Sequence, residues 1–239
     1  MRRMLSGVSV TALLYLTTPI ANAASLRVAP TNLDLAAPES AAMLNLTNDS
    51  DRPINVQVRV FRWSQKDGAE QLEPTTDVVV SPPATQMGAN AEYVVRVVRT
   101  SNAPVHKEES YRVIVDELPD ASRAQAGTVT LIMRHSVPVF FRNPDAKASD
   151  VSWGLSQHGG SLFLTGKNNG DKRFRLSNAT LRHGKTNVGG RGGLVGYVLG
   201  GATMQWRIGK AKSLSGGRVT LQGQSDLGPF DANIAISKH

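Results

Sequence analysis

The sequence contains no cysteine, so neither a disulfide nor a thiolate metal site is available to it. Aromatic residues make up only 5% of the chain, too few for the stacking platforms that single-stranded nucleic acids require. The formal charge is +8, but the basic residues are spread along the chain without a run of five or six. We therefore expect no nucleic-acid partner.

Long apolar runs are also lacking. The longest lies at about residues 8–16, shorter than the roughly 20 residues that span a bilayer, so we expect no membrane insertion. Arg2 and Arg3 precede this run, and Ala21-Asn22-Ala23 follows it, an order typical of a secretory signal peptide. We predict that residues 1–23 are cleaved and that the remaining chain is exported. The alternative is a buried first helix.

Known catalytic patterns are absent from the sequence. The five histidines show no metal-ligand spacing, and no G-x-S-x-G motif occurs. Glu108 with Glu109, and Asp116 with Glu117, are neighbours whose side chains point to opposite faces of a strand, which makes them poor acid–base couples. Residues 189–193, Gly-Gly-Arg-Gly-Gly, lack the lysine of a phosphate-binding loop and predict a flexible loop. We expect a protein that is not an enzyme and holds no metal or cofactor.

The pattern that is present is alternation with a period of two. Residues 54–63 alternate apolar and polar side chains almost without fault, which predicts a half-buried strand. Similar segments recur at 10–15-residue spacing up to Arg142 and indicate an immunoglobulin-like sandwich, and shorter, weaker strand segments follow, so we expect an all-β protein. We place the first domain at residues 24–143 and the second at 144–239, with a polar linker near residues 143–150.

Several segments together resemble the PapD-like periplasmic pilus chaperones. They are ESYRVIVDELP at 109–119, SVPVFFR at 136–142, the opening SLRVAPTNLDL at 25–35, and YVVRV at 93–97. The style of these segments is similar to the archaic, Csu-like and spore-coat-like branch. The match spans nearly all of the first domain, whereas the second matches mainly around residues 225–228.

The resemblance implies two sandwiches set at an angle around a cleft. It implies a periplasmic chaperone that lends an edge strand to pilus or fimbrial subunits and delivers them to an outer-membrane usher. By the same resemblance Val129, Leu131 and Met133 are the donor residues, and Ile132 faces the core. The alternative is that the three residues fill the core of the protein itself.

Charged residues also match the family. Glu109, Arg142 and Asp226 correspond to an interdomain ion network that would fix the angle between the domains. The alternative is three solvated surface charges.

The chain departs from the family at the anchor for the carboxylate end of the subunit. Typical members carry an arginine and a lysine where this sequence has Asn32 and Pro138. Arg112 and Arg134 are the candidate replacements, and Arg96 matches a family arginine that is either structural or part of the anchor. For each, a solvent-facing strand arginine is the alternative.

Two other functions remain open at the level of sequence. An exported fimbrial subunit or surface adhesin would have one sandwich and an N-terminal donor extension. A secreted carbohydrate-active enzyme would need a pair of acids that the sequence does not offer.

Overall fold

The computed structural model describes residues 26–119, 132–210 and 218–235, and every regular element in these ranges is a β-strand. The strands are β1 (Leu26–Ala29), β2 (Leu33–Ala36), β3 (Ala41–Asn48), β4 (Ile54–Lys66), β5 (Ala69–Pro74), β6 (Val78–Ser81), β7 (Ala84–Met87), β8 (Glu92–Arg99), β9 (Glu109–Leu118), β10 (Arg134–Arg142), β11 (Val151–His158), β12 (Ser161–Asn168), β13 (Phe174–His183), β14 (Thr186–Val198), β15 (Thr203–Lys210), β16 (Arg218–Ser225) and β17 (Gly228–Ala235). The predicted signal peptide lies outside the described residues.

The first sandwich is built from β1 to β10. One sheet has the order β1-β3-β8-β6, and the other has the order β2-β10-β9-β4-β5, with β7 also paired to β4. Alternate residues of each strand point inward, so Leu44 and Leu46 of one sheet meet Val113 and Val115 of the other in a shared apolar core. Pro30 separates β1 from β2, and these two strands join different sheets.

The second sandwich is built from β11 to β17, with sheet orders β11-β12-β15 and β14-β13-β16-β17. Its core includes Leu164, Leu181 and Trp206. Residues 189–193 belong to strand β14, so the prediction of a flexible loop there is wrong. A β-carbon on Gly190 would lie 2.8 Å from the carbonyl oxygen of Ala179, so glycine permits close pairing with the neighbouring strand.

The predicted all-β fold of two immunoglobulin-like sandwiches is confirmed. The sheets of the first sandwich use residues 26–142, and those of the second use residues 151–235. The segment between β10 and β11 contains no strand, and it leads directly from one sandwich into the other. Where the sandwiches meet, they form the site described next.

Candidate functional site

A cleft of about 370 Å³ lies between the two sandwiches. The first sandwich contributes Asn32 from the end of the β1–β2 connection, Arg112 from β9 and Pro138 from β10. The second sandwich contributes Arg173, Arg175 and Tyr197. Asn32 and Pro138, the two positions at which typical members of the resembled family carry cations, thus both line the cleft. Arginines from both sandwiches line it with them.

Arg112 enters the cleft directly beside Pro138. The two residues are Cα partners in the β9–β10 ladder, so their side chains emerge on the same face of the sheet. The guanidinium of Arg112 lies 3.7 Å from the ring centroid of Trp63, and its Nη2 donates to Oε1 of Glu70 at 3.2 Å. Burial of Arg112 lowers the pKa of its guanidinium, although the charge of Glu70 opposes that shift. Arg112 therefore supplies a cation in the cleft beside Pro138, one of the two positions at which typical family members carry one.

Arg173 is the centre of an ion cluster between the sandwiches. Its Nη1 donates to Glu108 Oε2 at 2.5 Å, and its Nη2 donates to Asp34 Oδ2 at 2.7 Å. Its backbone N–H donates to Glu108 Oε1 at 2.8 Å, and its guanidinium lies 3.7 Å from the ring centroid of Phe140. One side chain of the second sandwich thus engages two carboxylates and one aromatic ring of the first.

Burial sets the electrostatics of this cluster. The side chain of Glu108 is only 2% exposed, and burial raises the pKa of its carboxyl although Arg173 opposes the shift. Burial alone would lower the pKa of Arg173, but the charges of Glu108 and Asp34 outweigh it and raise that pKa. Each charge of this pair therefore depends on the other, because neither is well solvated.

A tight turn before β13 places Arg173. Asn168, which is 1% exposed, accepts hydrogen bonds on Oδ1 from the backbone N–H groups of Asp150 and Gly170, each at 3.0 Å. A β-carbon on Gly170 would lie 2.0 Å from the carbonyl oxygen of Ala148, so only glycine fits where this turn packs on the connecting segment. The turn therefore holds Arg173 in a fixed position relative to that segment.

An aromatic cluster forms the floor of the same junction. Trp63 and Phe140 of the first sandwich pack against Tyr197 of the second, with ring centroids 5.5 Å and 5.8 Å from that of Tyr197. Leu199 completes the buried cluster. These contacts join the sandwiches by apolar burial as well as by charge.

Besides the ion cluster and the aromatic cluster, hydrogen bonds of the Gln65 side-chain amide connect the two sandwiches. Gln65 Nε2 donates to the carbonyl oxygen of Tyr197, and its Oε1 accepts from the backbone N–H of Leu199, both at 2.9 Å. Gln65 lies near the end of β4, so the β4–β5 hairpin is attached to strand β14 of the second sandwich and to the residue that follows it.

The predicted ion network is brought together only in part. Arg142 donates to Asp34 at 2.9 Å, and Asp226 lies 3.9 Å from Arg173, so both residues are connected to the cluster through Arg173 and Asp34. Glu109 does not contact either of them. It binds Arg99 through two hydrogen bonds of 2.8 Å within the first sandwich.

The residue before Glu109, Glu108, forms the ion pair between the sandwiches instead, with Arg173. Adjacent residues of an extended chain point in opposite directions, which explains the one-residue difference from the sequence-based expectation. Asp34, Glu108 and Arg173 were not identified from the sequence, because their grouping depends on segments far apart in the chain.

The other candidate anchors lie elsewhere. Arg134 pairs with Asp116, which also binds Arg59, and Arg134 does not line the cleft. Arg96 is exposed on β8, in the sheet that does not contribute β9 or β10. Of the two candidate anchors, Arg112 and Arg134, only Arg112 lines the cleft.

Of the three predicted donor residues, the structure describes only the last, Met133. Val129 and Leu131 lie outside the described residues, whereas Met133 is half-buried and its carbonyl oxygen accepts from the backbone N–H of Glu117 at 2.9 Å. Ile132 is 50% exposed, so the expectation that it faces the core is wrong. With a period of two, Met133 shares the face of Val137, which is a core residue, and Ile132 falls on the opposite face.

The edge that follows the donor segment is open in part. β10 pairs with β9 from Arg134 to Phe141, but it pairs with β2 only from Val139 to Arg142. Among the described residues, positions 134–138 therefore have a strand partner on one side only. His135, which lies within this edge, contacts the carbonyl oxygen of Leu26 in β1 through its side chain at 2.9 Å.

In the described ranges, no three histidine, aspartate or glutamate side chains are grouped so that they could hold a metal ion. No helix long and apolar enough to cross a bilayer occurs in the part of the chain that the structure describes.

Comparison with known proteins identifies the family. A sequence profile described as "Pili and flagellar-assembly chaperone, PapD N-terminal domain" matches residues 25–147. This is more than half of the chain, and the chain belongs to this family. The resemblance inferred from the sequence is thereby confirmed. A search of curated proteins finds no match.

Solved structures agree with this assignment. A chain of the CsuC–CsuE chaperone–tip adhesion subunit pre-assembly complex, from the archaic Csu pili of Acinetobacter baumannii, is 27% identical with a TM-score of 0.67, covering 90% of this chain and 100% of that one. The E. coli chaperone DraB is 25% identical with a TM-score of 0.56, covering 87% and 98%. A chain of the Salmonella enterica complex of SafA pilin with the SafB chaperone shares the fold at 20% identity, with a TM-score of 0.59, covering 88% and 96%. The Csu match agrees with the predicted archaic branch.

Proposed function

We propose that this protein is a periplasmic chaperone that binds pilus subunits by lending them the edge strand around residues 129–133. A subunit that lacks its last strand exposes an apolar groove and unpaired backbone groups, which favour aggregation. A strand with alternating apolar side chains at an open edge supplies both missing partners. The half-open edge of β10 is the observation that carries this proposal, because it continues directly from the donor segment.

Arg112 is the anchor for the carboxylate end of the subunit in this proposal. It lies in the cleft beside Pro138, and a buried guanidinium gives charge-assisted hydrogen bonds to a carboxylate. We do not assign this role to Arg134, because it pairs with Asp116 and does not line the cleft. The cleft between the sandwiches then binds the carboxylate end of the subunit chain, and the edge strand occupies the apolar groove of the subunit.

Export and delivery complete the proposal. Residues 1–23 direct the chain across the inner membrane, and the loaded chaperone passes its subunit to an outer-membrane usher. No cofactor takes part, since replacement of the lent strand by one that packs better can drive the transfer. The domains of the proposed mature protein are residues 24–143 and 144–239.

A pair of substitutions tests the anchor. We expect the wild-type chain, co-expressed with its pilus subunit, to form a soluble one-to-one complex. Arg112→Gln removes the charged hydrogen bonds to the subunit carboxylate and is expected to weaken the complex about 10-fold to 100-fold. The dissociation constant can be measured by calorimetry on the purified pair.

Arg96→Gln is the matched control, because it removes the same charge from an exposed position on β8, in the sheet that does not contribute β9 or β10. It is expected to leave the affinity within about twofold of the wild-type value. Equal losses in the two variants would show that net charge rather than an anchor matters. If the wild-type chain forms no complex with any pilus subunit, the proposed function is wrong.

A further inference from the structure

The arginines of the cleft are held very differently. Arg173 is bound by two carboxylates, whereas Arg112 makes a single hydrogen bond of 3.2 Å, to Glu70. A guanidinium has five N–H donors, and no other hydrogen bond of Arg112 is found among the described residues. Arg112 therefore keeps most of its donors available for another acceptor.

Glu70 is suited to a contact that can be exchanged. It lies on β5, all of whose residues are exposed, and its own side chain is 41% exposed. A carboxylate this accessible to water regains hydration when it leaves its partner, so the pair contributes little to stability. Arg112, by contrast, is 12% exposed, and its guanidinium lies 3.7 Å from the ring centroid of Trp63 and 5.9 Å from that of Tyr197, so its charge needs a carboxylate nearby.

The backbone beneath Glu70 is fixed. Gln65, the Cα partner of Glu70 in the hairpin, is bound to the second sandwich, and the carbonyl oxygen of Gly68 accepts from the backbone N–H of Gln205 at 3.3 Å. The hairpin that carries Glu70 is therefore attached at its turn. Rotation of the Glu70 side chain alone is enough to free Arg112.

We propose that Glu70 occupies, in the free protein, the place on Arg112 that the carboxylate end of a bound subunit takes. This inference rests on the proposed function, in which Arg112 is the anchor. Binding exchanges one carboxylate for another, so the guanidinium is paired both before and after the subunit arrives. Glu70 then lowers the affinity for every carboxylate and favours ligands whose additional contacts exceed those of Glu70.

The test measures carboxylate binding by the full chain with a defined probe. The probe is the N-acetylated dipeptide Ala-Phe with a free C-terminal carboxylate, and its C-terminal amide is the uncharged comparison. Binding is followed by the 15N–1H chemical shift of Arg112 Nε. Glu70→Gln is expected to bind the free-acid peptide about twofold to fivefold more tightly than the wild type, and the amide should bind to neither.

Glu73→Gln is the matched control. It removes the same charge from the same strand, at a position paired with Arg62 rather than beside Arg112, and should behave as the wild type does. Equal affinity of Glu70→Gln and Glu73→Gln would overturn the inference. Weaker binding by Glu70→Gln would also overturn it, because Glu70 would then hold Arg112 ready for the ligand.

The outcome for Glu70 is separate from that for the proposed function. If no form of the protein binds the free-acid peptide at Arg112, the inference is wrong, whereas the chaperone function is judged by the complex with a pilus subunit. Suppose that Arg112→Gln loses the complex with the subunit, but Glu70→Gln binds the peptide with the same affinity as the wild type. Arg112 is then the anchor, and the proposed exchange with Glu70 is wrong.

Discussion

Replacing Leu131 and Met133 together by aspartate is expected to abolish the complex with a pilus subunit. In the proposed complex both side chains enter the apolar groove of the subunit, where a carboxylate would lose its hydration without gaining a partner. Each buried charge opposes binding by several kcal/mol, which lowers the affinity by more than about 1000-fold for the pair. Co-expression followed by size-exclusion chromatography measures the loss.

The control for this experiment uses the opposite face of the same segment. Thr130→Asp with Ile132→Asp introduces the same two charges, and Ile132 is half-exposed in the free protein. These substitutions should leave most of the complex intact, because the second face of a lent strand points to water. Similar losses in the two double variants would contradict the donor assignment.

Removal of the Arg173 guanidinium is expected to have the largest effect on stability. Arg173→Met keeps an unbranched apolar stem but leaves Glu108, whose side chain is 2% exposed, without its cation. Breaking a buried ion pair on one side typically costs about 3–5 kcal/mol in the free energy of unfolding. Urea denaturation monitored by tryptophan fluorescence measures this change.

Arg175→Met is the matched control, two residues further along the chain in β13. Arg175 lies 3.7 Å from Asp226, and both side chains are substantially exposed, so we expect a loss of at most about 1 kcal/mol. The double variant Arg173→Met with Glu108→Gln should recover part of the stability, since no buried carboxylate remains unpaired. If Arg173→Met and Arg175→Met are equally mild, Arg173 is not the centre of the junction.

Much of the fold could be predicted from local patterns. The alternation at residues 54–63 predicts β4, which continues to Lys66, because a strand with one buried face repeats every second residue. The prediction of a loop at residues 189–193 was wrong, because it rested on the glycines there, which usually indicate a loop. At Gly190 the backbone of Ala179 approaches so closely that a side chain would not fit, and this can be recognised only in three dimensions.

The site was less accessible to sequence reasoning than the fold. Arg112 was one of several candidates, and the cleft distinguishes it from Arg134. The ion cluster could not be predicted from the sequence, because Asp34, Glu108 and Arg173 come from three distant segments. A family resemblance placed the acidic residue at Glu109, and one step along an extended chain reverses the direction of a side chain.

Hydrogen–deuterium exchange of the purified complex tests the central claim most directly. The backbone N–H groups of residues 129–137 should exchange markedly more slowly in the complex with a pilus subunit than in the free chain, because strand addition pairs the open edge. Unchanged exchange across these residues, with protection only elsewhere on the chain, would contradict the account.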